Sequence, residues 1–91
     1  MKYKIGDWIV FTDKEYSKNW KKLRGISLYG KAAKIIYIHN NKYYPYSIEF
    51  KENIKGHTSN EKGKNGHCSW CDEKKITLYK DYFKLKKLLE G

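Results

Sequence analysis

The sequence has no apolar run that approaches the length of a membrane span, and its N-terminus lacks the apolar core of a signal peptide. A membrane-spanning helix needs about 20 mostly apolar residues, so we expect a cytoplasmic protein. Cysteine is scarce too, since only Cys68 and Cys71 are present. In a reducing compartment two cysteines are more often thiols or metal ligands than a structural disulfide.

The chain is also short and poor in acidic residues. Its 91 residues suffice for one domain with a small core and leave no room for a second domain or a deep cofactor cleft. Ten acidic residues stand against 20 basic ones, which gives a net charge of +10. This excess favours an anionic partner, either nucleic acid or an acidic or nucleoprotein complex. Every basic residue except Arg24 is lysine, so a lysine-rich solubilising surface is the alternative.

Hydrophobic periodicity predicts five short strands. They are Ile5–Phe11, Lys31–Ile38, Tyr43–Phe50, His67–Trp70 and Lys75–Leu78. Asn40 and Asn41 tolerate left-handed backbone and suit a hairpin turn between the second and third strands. Strand alternation places Tyr44 and Tyr46 together on the core face of the third strand and Tyr43 on the other face.

The remaining segments complete the predicted architecture. Thr12–Arg24 is polar and basic and reads as a long loop with room for one helical turn, and Lys51–Gly66 is a second long loop. Asp81–Glu90 has the apolar spacing of a short amphipathic helix. The pattern predicts a mostly β fold, a small SH3-like five-stranded barrel with long loops and a short C-terminal helix. We expect one domain over 1–91, with the barrel at about 4–78 and a helical tail at 79–91.

Three blocks of the sequence resemble a known family. They are Ile5-Gly-Asp-Trp-Ile-Val10, Tyr44-Pro-Tyr-Ser-Ile-Glu-Phe50, and Gly56-His57 followed by Gly66-His-Cys-Ser-Trp70. Together they are similar to the motifs of small SH3-like domains encoded by bacteriophages and prophages, over roughly residues 4–78. Cys71 departs from that pattern, which has an apolar residue there. The resemblance implies an SH3-like fold and a phage setting but no activity, because such barrels host many functions.

The segment from Lys14 to Lys34 combines basic and aromatic residues and is the main candidate for partner binding. Lysines contact phosphates without sequence preference, and aromatic rings stack on unpaired bases. The alternative is a solvated loop whose Trp20 packs on the core. The candidate binding residues are Lys14, Tyr16, Lys18, Trp20, Lys21, Lys22, Arg24, Tyr29, Lys31 and Lys34.

Zinc is the one cofactor that the sequence suggests. The candidate ligands are His57, His67, Cys68 and Cys71. Adjacent strand residues point to opposite faces, so His67 and Cys68 do not easily ligate one ion. The alternative is a buried Cys68 and a half-exposed Cys71. Cysteine nucleophilic catalysis would need a paired base and a cleft, which so small a barrel does not offer.

The sequence therefore predicts a non-enzymatic, basic binding module that contacts nucleic acid or a nucleoprotein complex. The alternative function is a phage inhibitor of a bacterial defence or replication machine, for example an anti-CRISPR protein, that acts by protein–protein binding. Neither function involves a membrane or a small-molecule substrate.

Overall fold

The chain forms a five-stranded antiparallel sheet, described by a computed structural model that covers residues 2–90. The strands are β1 (Trp8–Phe11), β2 (Ala32–Ile38), β3 (Tyr46–Phe50), β4 (Cys68–Cys71) and β5 (Ile76–Leu78). They lie in the order β4-β3-β2-β1-β5, which confirms the five predicted strands and the hairpin between the second and third. Within residues 2–90 the edge strands β4 and β5 do not pair with each other. The sheet is therefore open, and the expected closed barrel is not seen.

The segment Thr12–Arg24 is not the predicted loop, because helix α1 (Lys14–Arg24) occupies most of it. The Asp13 carboxylate caps the helix by accepting the Tyr16 N–H at 2.8 Å. Gly25 ends the helix with a left-handed φ of 80°, and its N–H donates to the Lys21 carbonyl at 2.7 Å. The helix buries few residues, which is why its sequence looks like a loop.

A second helix, α2 (Tyr79–Glu90), follows β5 directly and confirms the predicted C-terminal helix. It packs against β1 and β5. A 3₁₀ turn (Glu73–Lys75) joins β4 to β5. The two helices hold as many residues as the five strands together, so the fold is mixed α/β and not mostly β. In the part of the chain that the structure describes, neither helix is long and apolar enough for a membrane crossing.

The core lies on one face of the sheet. Cross-strand register places Ile9 beside Ala33 and Ile35 beside Ile48, all fully buried. Trp20 of α1 belongs to the same core. Its indole N–H donates to the Ile54 carbonyl at 2.9 Å. This hydrogen bond ties α1 to the loop that follows β3.

That loop, Lys51–Gly66, contributes Ile54 to the core, and its later part lies against the opposite face of the sheet. The Ser59 hydroxyl donates to the Ser47 hydroxyl at 2.6 Å, and the Lys64 N–H donates to the Glu49 carboxylate at 2.9 Å. His57 forms an isolated β-bridge with Cys68. The loop thus buries Ser47 and Cys68 and leaves Trp70, the next outward residue of β4, uncovered.

Candidate nucleic-acid interface

One face of α1 carries a row of lysines that we call the lysine stripe: Lys14, Lys18, Lys21 and Lys22. Their spacing of i, i+4, i+7 and i+8 places all four side chains on the same side of the helix. All four are exposed, and no ion pair within residues 2–90 involves any of them. Glu15 is the one acidic residue of α1 and borders this face, so the stripe is a predominantly positive surface whose four ammonium groups are free to contact an anion.

The opposite face of α1 belongs to the core. Trp20 is only 6% exposed, and the Tyr16 ring stacks on it at 6.0 Å between centroids. The Arg24 guanidinium lies 3.8 Å from the Trp20 ring centroid. A nucleobase therefore cannot stack on Trp20 as expected, because neighbouring side chains already cover the ring.

The other candidate binding residues lie around the start of β2. Tyr29 is exposed, with the Lys14 ammonium 5.4 Å from its ring centroid, so it adjoins the lysine stripe. Lys31 instead pairs with Glu52 at 2.6 Å. Lys34 stands opposite Glu49 in the register of β2 and β3. Lys31 therefore supplies less free positive charge than the stripe, whereas Lys34 has a carboxylate opposite it in the sheet but no ion pair within residues 2–90.

The four candidate zinc ligands are not brought together. Among the described residues there is no group of three or more His, Cys, Asp or Glu side chains that could hold a metal ion. The His67 ring nitrogen Nδ1 is 2.9 Å from the Phe50 carbonyl oxygen. Cys71, expected to be half-exposed, is fully buried, as is Cys68. Burial raises the pKa of Cys68 to about 11 and that of Cys71 to about 12, so neither thiol is an activated nucleophile.

A row of rings that was not predicted from the sequence lies around Trp70, which the loop Lys51–Gly66 leaves uncovered. We call it the aromatic strip: Tyr37, His39, Tyr44, His57 and Trp70. The His57 and His39 ring centroids lie 4.3 Å and 6.1 Å from that of Trp70, and Tyr37 lies 4.8 Å from His39. Trp70 is 41% exposed and Tyr44 is 50% exposed. Tyr44 was expected in the core, but β3 begins only at Tyr46, so the alternation does not extend to it.

Two buried serines hold the two histidines of the aromatic strip in place, one through its hydroxyl and the other through its backbone N–H. His39 Nε2 is hydrogen-bonded to the Ser47 hydroxyl, which also accepts from Ser59. The backbone N–H of Ser59 donates to His57 Nδ1 at 2.8 Å. Ser47 and Ser59 are fully buried. The strip is therefore supported by a fixed polar network beneath it.

This network makes stability depend on the protonation of His57. Burial, and then the positive charge of Arg24, lower the pKa of His57 below its usual 6.5. The neutral ring is also the form whose Nδ1 accepts the Ser59 N–H. The unfolded chain therefore binds a proton at His57 more readily than the folded chain does. The contribution of neutral His57 to the free energy of unfolding is complete above a pH of about 6.5 and is lost as the pH falls through the lowered pKa.

We therefore expect the thermal unfolding midpoint to fall on acidification from about pH 7 to about pH 5. His57→Asn should show a shallower dependence, because its amide oxygen can accept the same N–H without titrating. The measurement is thermal unfolding of both proteins across this pH range. Parallel curves for the two proteins would show that His57 does not contribute to the dependence.

The aromatic strip and the C-terminal end of α1 meet at one cleft of about 310 Å³, which Arg24, one helical turn after Lys21 of the lysine stripe, lines together with His57 and Trp70. Positive charge and exposed aromatic rings thus adjoin, although 46 positions separate Arg24 from Trp70 in the sequence. Comparison of the chain with protein-family models, with curated proteins and with solved structures gave no match.

Proposed function

We propose that this chain is a non-enzymatic module that binds nucleic acid through the lysine stripe of α1. The supporting observation is the stripe itself, four exposed lysines on one helix face without an ion pair in residues 2–90. Ammonium groups arranged in this way contact backbone phosphates and do not read the base sequence. The net charge of +10 adds long-range attraction for a polyanion.

The state of the potential nucleophiles supports binding over catalysis. Cys68 and Cys71 are buried, and burial raises the pKa of both thiols. Ser47 is hydrogen-bonded to His39 in the manner of a nucleophile and its base, but its side chain is fully buried beneath the loop Lys51–Gly66. A nucleophile must reach its substrate, so none of these three side chains is placed for covalent catalysis.

We further propose that the open sheet belongs to the SH3-like class. Five short strands, a long first connection between β1 and β2, a hairpin between β2 and β3 with a seven-residue connection, and a second long connection between β3 and β4 support this assignment. The return of β5 to pair with β1 also brings the two ends of the strand sequence together. In this arrangement α1 is the elaboration within the first connection that carries the lysine stripe.

The proposed function is tested by the salt dependence of binding. The protein is titrated into a fluorescently labelled single strand and into a duplex of the same length, at several salt concentrations. If the four lysines each neutralise one phosphate, the slope of log Kobs against log salt is about −3 for the single strand and about −4 for the duplex. Undetectable binding, or an affinity that does not change with salt concentration, would contradict the proposal.

A pull-down from bacterial lysate with and without nuclease distinguishes the alternative function. We expect nuclease treatment to remove the captured material, because the contact runs through phosphates. Stable capture of one protein that survives nuclease treatment would contradict nucleic-acid binding and favour an inhibitor of a protein machine.

A further inference from the structure

Two exposed rings of the aromatic strip, those of Trp70 and Tyr44, stand between two neighbouring clefts. Both rings line the cleft of about 310 Å³ that Arg24 and His57 also line. Both also line a second cleft of about 540 Å³ together with His39 and three asparagines, Asn40, Asn41 and Asn60. Planar rings that are exposed and lie beside open space provide a flat surface on which another planar group can stack.

The Trp70 ring and the backbone at Tyr44 are both held by neighbouring groups, although the two side chains are half exposed. His57 packs on Trp70 at 4.3 Å between ring centroids, and the backbone N–H of the buried Ser59 fixes His57 by donating to its Nδ1. The Asn41 side-chain oxygen accepts the N–H groups of Tyr43 and Tyr44 at 2.8 and 2.9 Å and thereby fixes the approach to Tyr44. A preorganised ring binds a partner without the entropic cost of ordering the side chain.

The loop behind the second cleft is strained. Ser59, Asn60 and Glu61 are consecutive non-glycine residues with left-handed φ values of 54°, 56° and 68°. Side chains other than glycine and asparagine adopt this conformation rarely, and runs of such residues persist where other contacts hold the backbone in place. In this conformation the Ser59 hydroxyl bonds to Ser47, and Asn60 lines the cleft.

The lining of the two clefts is compatible with an anionic ligand, and Arg24 favours one in the first cleft. Neither of the two clefts beside Trp70 is lined by a carboxylate. In contrast, the groove beside Trp8 contains the Lys31–Glu52 ion pair, and the cleft beside Lys74 contains Asp72 and Glu73. Arg24 borders the first Trp70 cleft and follows Lys21 by one helical turn, so positive charge continues from the lysine stripe into it.

We propose that Trp70 and Tyr44 stack on unpaired nucleobases of a single-stranded nucleic acid whose phosphates lie along Arg24 and the lysine stripe. The inference rests on the proposed function and adds to it a preference for single strands. Bases within a duplex are already stacked on each other and do not reach the two rings, whereas unpaired bases expose their faces. The amides of Asn40 and Asn60 in the second cleft can donate to and accept from base edges.

The test compares a short oligothymidylate strand with the same strand annealed to oligoadenylate. Loss of one ring–base stack costs about 1–3 kcal/mol, so Trp70→Leu is expected to weaken single-strand binding by about 5- to 150-fold. Duplex binding should stay within about twofold, since it depends on phosphate contacts alone. The matched control is Trp8→Leu, because Trp8 is 40% exposed at another site of the same sheet. It should change neither affinity.

A second measurement covers the case in which the Trp70 variant unfolds. In a Trp8→Phe variant the remaining tryptophans are the buried Trp20 and the exposed Trp70. Stacking on Trp70 should quench the fluorescence when oligothymidylate is added, and the duplex should quench it much less. Unchanged fluorescence in the presence of bound single strand would overturn the stacking site.

The outcomes separate the inference from the proposed function. Equal affinity of the wild type for single strand and duplex, or equal behaviour of the Trp70 and Trp8 variants, would overturn the inference while salt-dependent binding still stands. Absence of salt-dependent binding to either probe would instead overturn the proposed function.

Discussion

Replacement of Lys18, Lys21 and Lys22 by glutamine is expected to weaken binding to an oligonucleotide by roughly 100-fold at about 0.1 M salt. Each exposed ammonium–phosphate contact contributes about 1 kcal/mol, so the loss of three costs about 3 kcal/mol. The three side chains are exposed and point away from the core. Glutamine keeps a high helix propensity, so α1 should remain intact. Fluorescence anisotropy with a labelled strand gives the affinity directly.

The control for this variant removes the same charge elsewhere. Lys42, Lys74 and Lys84 are exposed and lie in the β2–β3 connection, the 3₁₀ turn and α2. Their triple replacement by glutamine should cost a few-fold at most and leave the salt slope near that of the wild type. The α1 variant should lose about two units of slope on a single strand. Equal losses for both variants would mean that net charge, and not the lysine stripe, governs binding.

Replacement of Gly56 by alanine is expected to destabilise the fold by about 4 kcal/mol. An added Cβ would lie 2.1 Å from the carbonyl oxygen of Cys68, a backbone atom that cannot rotate away. Relief of this clash requires the loop to leave β4 and to break the two hydrogen bonds that pair His57 with Cys68. Overpacking costs about 1–3 kcal/mol and each lost hydrogen bond about 1 kcal/mol. In a domain of this size the unfolding midpoint should fall by about 15–30 °C.

Gly25→Ala is the matched control for steric contact. Gly25 has a left-handed φ of 80° but nothing within 4 Å of an added Cβ, so alanine there meets only backbone strain of about 1–2 kcal/mol. Thermal or urea unfolding of both variants measures the difference. If Gly56→Ala cost no more than Gly25→Ala, the close approach of the loop to β4 would not hold in solution.

The strands could be predicted from the sequence because their signal is local. Short β-branched and aromatic runs place β2 and β5 within a residue or two of where the structure has them. The first strand is shorter than predicted, since Gly6 adopts a left-handed φ of 96° and Asp7 closes a turn back to Lys4. Whether β4 and β5 pair is a long-range property that no local pattern determines.

Helix α1 was not predicted from the sequence because contacts with residues far away in the chain stabilise it. Its N-cap Asp13 and C-cap Gly25 are visible in the sequence, but the apolar face consists of little more than Tyr16 and Trp20. Trp20 is fixed by the carbonyl of Ile54, 34 positions along the chain. Tertiary packing of this kind overrides the polar composition on which the loop prediction depended.

The candidate site could be predicted in part. The lysines were identified from the composition of the segment. The helix places four of them in a stripe, whereas Lys31 and Lys34 lie opposite carboxylates. No orientation was predicted for Trp70, which shares a face of β4 with the buried Cys68 and is exposed only because the loop ends short of it. Its neighbours His57 and Tyr44 come from separate loops, so the aromatic strip as a whole could not be found from the sequence.

Nuclear magnetic resonance of the nitrogen-15-labelled protein during titration with oligothymidylate tests the binding surface most directly. We expect the shifted amide signals to concentrate in α1 from Lys14 to Arg24, and the indole N–H of Trp70 to shift while that of Trp8 does not. The exposed lysines of α2, which include Lys80 and Lys84, provide an internal comparison within the same spectrum. Shifts confined to α2, with the α1 signals unchanged, would contradict the lysine stripe as the binding surface.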